Sequence, residues 1–119
     1  MNTNPEVVRA LIAAGANLDS RTNDGATALI LASGANGTET VKILIAAGAG
    51  IDAVDMWGRT ALIQAAARNP NPEVIEALLD AGADGNIKSS EGKIAFDYAK
   101  DNDAIKGTDA YWMLNDARF

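Results

Sequence analysis

Gly25-Ala26-Thr27-Ala28-Leu29 returns as Gly58-Arg59-Thr60-Ala61-Leu62 and then, one residue late, as Gly92-Lys93-Ile94-Ala95-Phe96, a period of about 33 residues. A second phrase keeps the same step: Ala13-Ala14-Gly15-Ala16, Ala46-Ala47-Gly48-Ala49 and Asp80-Ala81-Gly82-Ala83. Glu6, Glu39 and Glu73 follow it as well. Two interleaved phrases on one period constrain the fold more than composition does. A unit of this size cannot bury its apolar face alone, so the units must stack side by side and bury a continuous core between them.

Within each period the residues predict two short helices and an extended tip. The first helix is expected from about Thr27 to Ser33 and from Thr60 to Arg68. Leu29 and Ala32, or Leu62 and Ala65, stand three apart on one face and give a narrow buried stripe. The second helix starts after Asn4-Pro5-Glu6, Gly37-Thr38-Glu39 or Asn71-Pro72-Glu73. Asn offers a capping side chain, Pro needs no N–H at the first helical position, and Glu sits at the positive end of the dipole. Val8, Leu11 and Ile12 recur as Val41, Leu44 and Ile45 and as Ile75, Leu78 and Leu79, an apolar stripe at i, i+3, i+4. Each second helix is expected to stop at Gly15, Gly48 or Gly82 in a left-handed cap. The extra residue of the longer second step is placed in the loop Asn69-Pro70-Asn71-Pro72. With 24 Ala and only six aromatic residues among 119, the interior must form by close approach of helices with small side chains.

These residues resemble the ankyrin repeat, whose signature combines a Gly-x-Thr-x-Leu start, an x-Val-x-x-Leu-Leu second helix and a Gly-Ala stop. The resemblance covers about residues 5 to 100. It implies a mostly α solenoid of stacked helix-turn-helix units with extended, hairpin-like tips, in a single domain spanning 1–119. The expected divisions are a half unit at 1–21, repeats at 22–54 and 55–88, and a degenerate capping unit at 89–119. The usual Thr-Pro-Leu-His becomes Thr27-Ala28-Leu29-Ile30 and Thr60-Ala61-Leu62-Ile63, which removes an imidazole that commonly bonds neighbouring loops and predicts looser tips. The Asn-Pro variant looks more like bacterial ankyrin proteins than the consensus.

The two ends differ. Asp97, Lys100, Asp101, Asn102 and Asp103 are expected on a polar first helix of the last unit, and Gly107-Thr108-Asp109 opens a final helix through Tyr111, Trp112 and Leu114. Tyr111 and Trp112 are read as the cover over the last apolar face. At the other end the chain begins in a second helix whose stripe, Val8, Leu11 and Ile12, is as apolar as the interior copies. The expectation is an N-terminally truncated array, or a homodimer formed through that half unit.

Composition closes off other functions. A net charge of −6 is the wrong sign for neutralising nucleic-acid phosphates or an anionic membrane surface. With no Cys and no His, thiolate and imidazole catalysis and the usual zinc and copper sites are excluded, and neither a cofactor nor a metal is expected. The apolar runs are too short to cross a bilayer, and Met1-Asn2-Thr3-Asn4-Pro5-Glu6 lacks the basic flank of a signal peptide, which leaves a cytoplasmic location as the default. Asp52 with Asp55, and Asp101, Asp103 and Asp109, read as turn chemistry. Lys106 falls where a Ca²⁺ loop starting at Asp101 needs glycine. Gly34-Ala35-Asn36-Gly37 lacks the Lys-Ser/Thr ending of a phosphate loop, and Asn36-Gly37-Thr38 reads as a chance glycosylation triplet. No pair of carboxylates stands out as an acid and a base, and the chain is not expected to be an enzyme.

The resemblance implies a function on the concave surface formed by tips and first helices, where the family binds protein partners. The tip positions are Asn23, Asp24 and Ala26, then Met56, Trp57 and Arg59, then Ser90, Glu91 and Lys93. The middle triplet is the preferred contact, because Trp and Arg dominate binding energies and Met adapts to irregular partners. For Trp57 a second reading stands beside it, in which the ring folds over a neighbouring tip. Leu31, Gln64, Arg68 and Tyr98 are weaker candidates on the same face. The expected function is a non-enzymatic protein-binding module or scaffold, and the acidic balance favours a partner with a neutral or basic patch. The alternatives are a self-associating fragment joined through Val8, Leu11 and Ile12, or the regulatory arm of a larger enzyme.

Overall fold

The computed structural model describes residues 5–15, 17–35 and 37–118, without the side chains of Val7, Val8 and Leu11. Among the described residues there are seven helices and no strand: α1 (Pro5–Ala13), α2 (Ala28–Gly34), α3 (Thr38–Ala46), α4 (Ala61–Arg68), α5 (Pro72–Asp80), α6 (Ala95–Ala99) and α7 (Asp109–Ala117). The first helices of the units, α2, α4 and α6, stack into one layer, and the second helices, α1, α3, α5 and α7, into another.

The starts of the helices follow from single side chains. Thr27 Oγ1 accepts from Ile30 N, Thr60 Oγ1 from Ile63 N and Thr108 Oγ1 from Tyr111 N, so each threonine is an N-cap just outside its helix. Asn71 Oδ1 accepts from Glu73 N at 3.0 Å, with Pro72 at the first helical position. In the third unit Ile94 stands where threonine capped before. The cap is made from the other direction, with Ile94 N donating to Asp97 Oδ2 at 3.1 Å, and α6 runs for only five residues. Gly48 and Gly82 close α3 and α5 at φ +92° and +95°, a region where a Cβ is strained.

Four expectations change. The buried part of α4 is not a narrow stripe: Ala61, Leu62, Ile63, Gln64, Ala65 and Ala66 are all buried, because α4 is flanked by α2 and α6 and backed by α5. The extra residue of the longer period does not lie in the loop after Asn69. Helix α4 has eight residues where α2 has seven, and three residues connect to the second helix in both units. Asp101, Asn102 and Asp103 lie beyond the end of α6, where Asn102 Nδ2 turns inward and donates to Ala66 O and Asn69 O, both at 3.0 Å. Trp112 does not cover the last apolar face. Tyr111 does, 9% exposed and 5.0 Å from Phe96, while Trp112 is 55% exposed and packs edge-on against the Tyr111 ring at 5.0 Å.

The core runs the length of the stack through Leu29, Ile30, Leu44, Leu62, Ile63, Ile75, Leu78, Ile105 and Leu114. Ile30 and Ile63, in the place of the family's histidine, are buried. The tips are tied by other bonds: Met56 N donates to Asp24 O and Ser90 N to Trp57 O, both at 2.9 Å, and Arg21 Nη1 donates to Gly25 O and Val54 O. Asn69, fully buried, ties the units of α2 and α4 at the other end of their first helices by donating from Nδ2 to Ser33 O at 2.7 Å.

Candidate protein-binding surface

Each tip is closed by a short polar side chain three residues before its glycine. Thr22 Oγ1 accepts from Ala26 N at 3.2 Å, and Ser89 Oγ accepts from Glu91 N at 3.3 Å. In the middle tip Asp55 does more. Its Oδ1 accepts from Trp57 N and Arg59 N, both at 2.9 Å, and its Oδ2 accepts from Arg59 Nε at 2.9 Å. The Asp55 side chain is 1% exposed, so the ion pair with Arg59 is shielded on the acid side. Gly58 then crosses so close to the next tip that a Cβ there would lie 3.1 Å from Ser90 N.

This clamp fixes Trp57. The Arg59 guanidinium carbon lies 4.7 Å from the centroid of the Trp57 ring, and the ring is 42% exposed beside Met56 at 64%. Trp57 therefore stacks on a residue of its own tip while more than a third of its surface stays exposed. Trp57 and Arg59 share a cleft of about 280 Å³ with Ser90, Glu91 and Tyr98. Tyr98 OH donates to Glu91 Oε1 at 2.8 Å and lies 2.7 Å from Ser89 Oγ, and Lys93 Nζ stands 5.6 Å from the Tyr98 ring. Helix α6 thus reaches the tips through Tyr98.

Of the residues expected at the surface, Trp57, Arg59, Ser90 and Glu91 come together in this cleft, with Lys93 at its edge. Leu31, Gln64 and Arg68 line a second hollow of about 140 Å³ between α2 and α4. Gln64 is 6% exposed there and Arg68 is exposed. Asn23 and Asp24 are exposed on the first tip, outside both hollows. Val8 and Leu11 lie outside the described residues as regards their side chains. Ile12 is half-buried against the core and lines a groove between α1 and α3 with Ile43 and Ala46. Asp55, read from the sequence as turn chemistry, does close its turn, but its hold on Arg59 and the role of Ser89 are what sequence reasoning missed. Thr22, Asp55 and Ser89 stand one repeat step apart from each other, just as the tip glycines do, and that spacing is the signal that marks them.

Among the described residues no group of three or more acidic side chains is placed to hold a metal ion, and no helix is long and apolar enough to cross a membrane. Stacked helix pairs with hydrogen-bonded tips define the chain as a helical-repeat solenoid. A family model described as ankyrin repeats in three copies matches residues 1–89, and the chain belongs to the ankyrin-repeat family. No curated protein matches it. Ankyrin repeats are generally protein–protein interaction modules.

Proposed function

We propose that this chain is a non-enzymatic module that binds a protein partner across its tips and first helices, with Trp57 as the central contact. The observation that carries this reading is the half-exposed indole, stacked on Arg59 and anchored through Asp55 to the backbone of its own turn. A large aromatic surface already stacked on its own tip has less conformational freedom to lose on association, and Trp and Arg are the residues that most often dominate interface energetics. Met56 extends the apolar area beside it, and the adjoining cleft supplies polar groups at the rim.

The test is a Trp57→Ala variant measured by calorimetry against a partner recovered by cross-linking to the native chain. Loss of affinity by a factor of 10 or more is expected, since truncating a central hot-spot residue costs about 2 kcal/mol or more. Unchanged affinity would remove Trp57 from the interface.

A second reading is self-association along α1, favoured by the groove of about 570 Å³ between α1 and α3, whose apolar floor of Ile12, Ala13, Ile43, Ala46 and Ala47 is flanked by Arg9, Glu39 and Lys42. Light scattering across a range of concentrations separates the two readings. A dimer abolished by Ile12→Asp supports the second, and a monomer mass that stays constant with concentration removes it.

A further inference from the structure

Charge is distributed unevenly between the tips with their first helices and the rest of the chain. From four residues before each tip glycine to the C-cap of the following first helix (21–35, 54–69 and 88–100) there are six basic residues, Arg21, Arg59, Arg68, Lys88, Lys93 and Lys100. Four acidic residues oppose them, Asp24, Asp55, Glu91 and Asp97, for a net charge of +2. The remainder of the chain, the second helices with seven acids and the connecting loops with five, holds four basic and twelve acidic residues, a net charge of −8. The acids of the tip layer are also largely engaged. Asp55 is buried under Arg59, Asp97 accepts from Ile94 N and lies 3.7 Å from Lys100, and Glu91 accepts from Tyr98. Five of the six cations are exposed.

We infer that the tip-and-first-helix surface receives an acidic segment of its protein partner, with carboxylates against Arg59, Lys93 and Arg68 and an apolar side chain against Trp57. This rests on the partner-binding reading above and specifies the partner's chemistry. Arg59 is prepared for it. Its Nε is occupied by Asp55 and its plane is steadied by the indole, while its two Nη groups have no partner among the described residues. A guanidinium fixed in this way offers the planar fork that a carboxylate accepts through two parallel hydrogen bonds. Arg68 lies at the far end of α4, about 12 Å of helix from its start, so an extended segment of several residues can reach from the tip cleft to it.

The net charge of the whole chain points the other way, toward a basic partner, but distance decides against it. The molecule measures 39 × 26 × 21 Å, and the Debye length at physiological ionic strength is about 8 Å. The seven carboxylates on the second helices are therefore heavily screened at the tips. The five in the loops, Asp19, Asp52, Asp84, Asp101 and Asp103, are not among the residues that line the Trp57–Arg59 cleft, so the local balance governs what docks there.

The test is selection of a random dodecapeptide display library on the immobilised native chain, followed by reselection on Trp57→Ala and on the double variant Arg68→Glu/Lys93→Glu. The double variant inverts two exposed charges without touching the core, so it keeps the fold where Arg59 variants would strand Asp55. The expected result is enrichment of acidic peptides carrying an apolar residue, with binding at least tenfold weaker on both variants and falling as salt is raised. Enriched peptides that are neutral or basic, and that depend on Trp57, overturn the acidic partner while leaving the binding surface in place. Peptides indifferent to Trp57→Ala, or no enrichment above background, overturn both.

Discussion

Arg59 lies 4.7 Å from the Trp57 ring centroid while its Nε donates to a nearly inaccessible Asp55 carboxylate at 2.9 Å. One acid thus sets the position of two neighbouring side chains and closes the turn that carries them. Removing it in Asp55→Ala leaves two backbone N–H groups and a guanidinium without their acceptor. Stability is expected to fall by about 2–3 kcal/mol in urea denaturation, the range for stripping a buried acceptor from several donors. Asp55→Asn keeps an acceptor for the turn and is expected to lose less than half as much. A loss below about 0.5 kcal/mol in Asp55→Ala would show that the clamp contributes nothing to the fold.

Trp57→Ala behaves differently. The ring is exposed on one side and touches its own tip, so the stability lost is expected to stay near 1 kcal/mol, of which a partly exposed cation–π contact accounts for about 0.5–1 kcal/mol. Comparing its denaturation midpoint with that of Asp55→Ala separates a residue displayed for contact from one that builds the display. A loss of about 3 kcal/mol or more, that of truncating a core aromatic, would identify Trp57 as structural.

Gly58→Ala and Gly82→Ala isolate the packing between tips from backbone strain. Both glycines have positive φ, +72° and +95°, so both variants lose about 1 kcal/mol to the left-handed conformation. At Gly82 nothing lies within 4 Å of the added Cβ, whereas at Gly58 it meets Ser90 N at 3.1 Å and Ser89 Cα at 3.3 Å. The methyl added at Gly58 is opposed by backbone, which cannot swing aside as a side chain can. Overpacking of this kind makes Gly58→Ala more destabilising than Gly82→Ala by about 1 kcal/mol or more. Equal losses would mean that the tips separate freely.

What the sequence made legible is what repeats locally. Thr27, Thr60 and Asn71 cap within three residues of themselves, and Gly48 and Gly82 stop helices by their own backbone, so each reads directly from its neighbours. Asn69 and Asn102 were not legible in this way. They stand one period apart, yet their partners are carbonyls of the adjacent unit, Ser33 O for Asn69 and Ala66 O for Asn102, a relation that exists only after stacking. Trp112 was misplaced because an aromatic in a terminal helix fits either face until Tyr111 is seen to take the inner one. The uneven charge escaped for a similar reason: a net charge of −6 carries no geometry, and its division into +2 and −8 follows from grouping each tip with the first helix it leads into.

Asn69 and Asn102 should act as a coupled pair. Asn69 uses Nδ2 on Ser33 O, Oδ1 on Asn71 N at 2.8 Å and its own carbonyl on Asn102 Nδ2. Asn69→Ala at this fully buried position is expected to lose about 2–3 kcal/mol, and Asn102→Ala about 1–2 kcal/mol, as buried donors and acceptors lose their partners. Asn69→Ala keeps the carbonyl that accepts from Asn102 and reaches it only by loosening the turn that Oδ1 holds through Asn71 N. On that route the losses in the double variant should fall short of additivity by about 0.5 kcal/mol or more. Strict additivity would mean that the two asparagines stabilise their units independently.

Ser33 offers the opposite case, a polar group whose removal should help. It sits in α2 with no exposed surface, and its Oγ has no hydrogen-bond partner among the described residues. A hydroxyl taken out of water without a new bond costs about 1–3 kcal/mol in proteins. Alanine also has the higher helix propensity by a few tenths of a kcal/mol. The space vacated in Ser33→Ala is one oxygen atom, too small for a damaging cavity. The backbone carbonyl of residue 33, which accepts from Asn69, is unaffected by the change. Ser33→Ala is therefore expected to be stabilised by about 1 kcal/mol, a rise of several degrees in Tm for a chain of this size. Calorimetry reads it directly, and a fall in Tm would show that the hydroxyl has a partner in the folded chain.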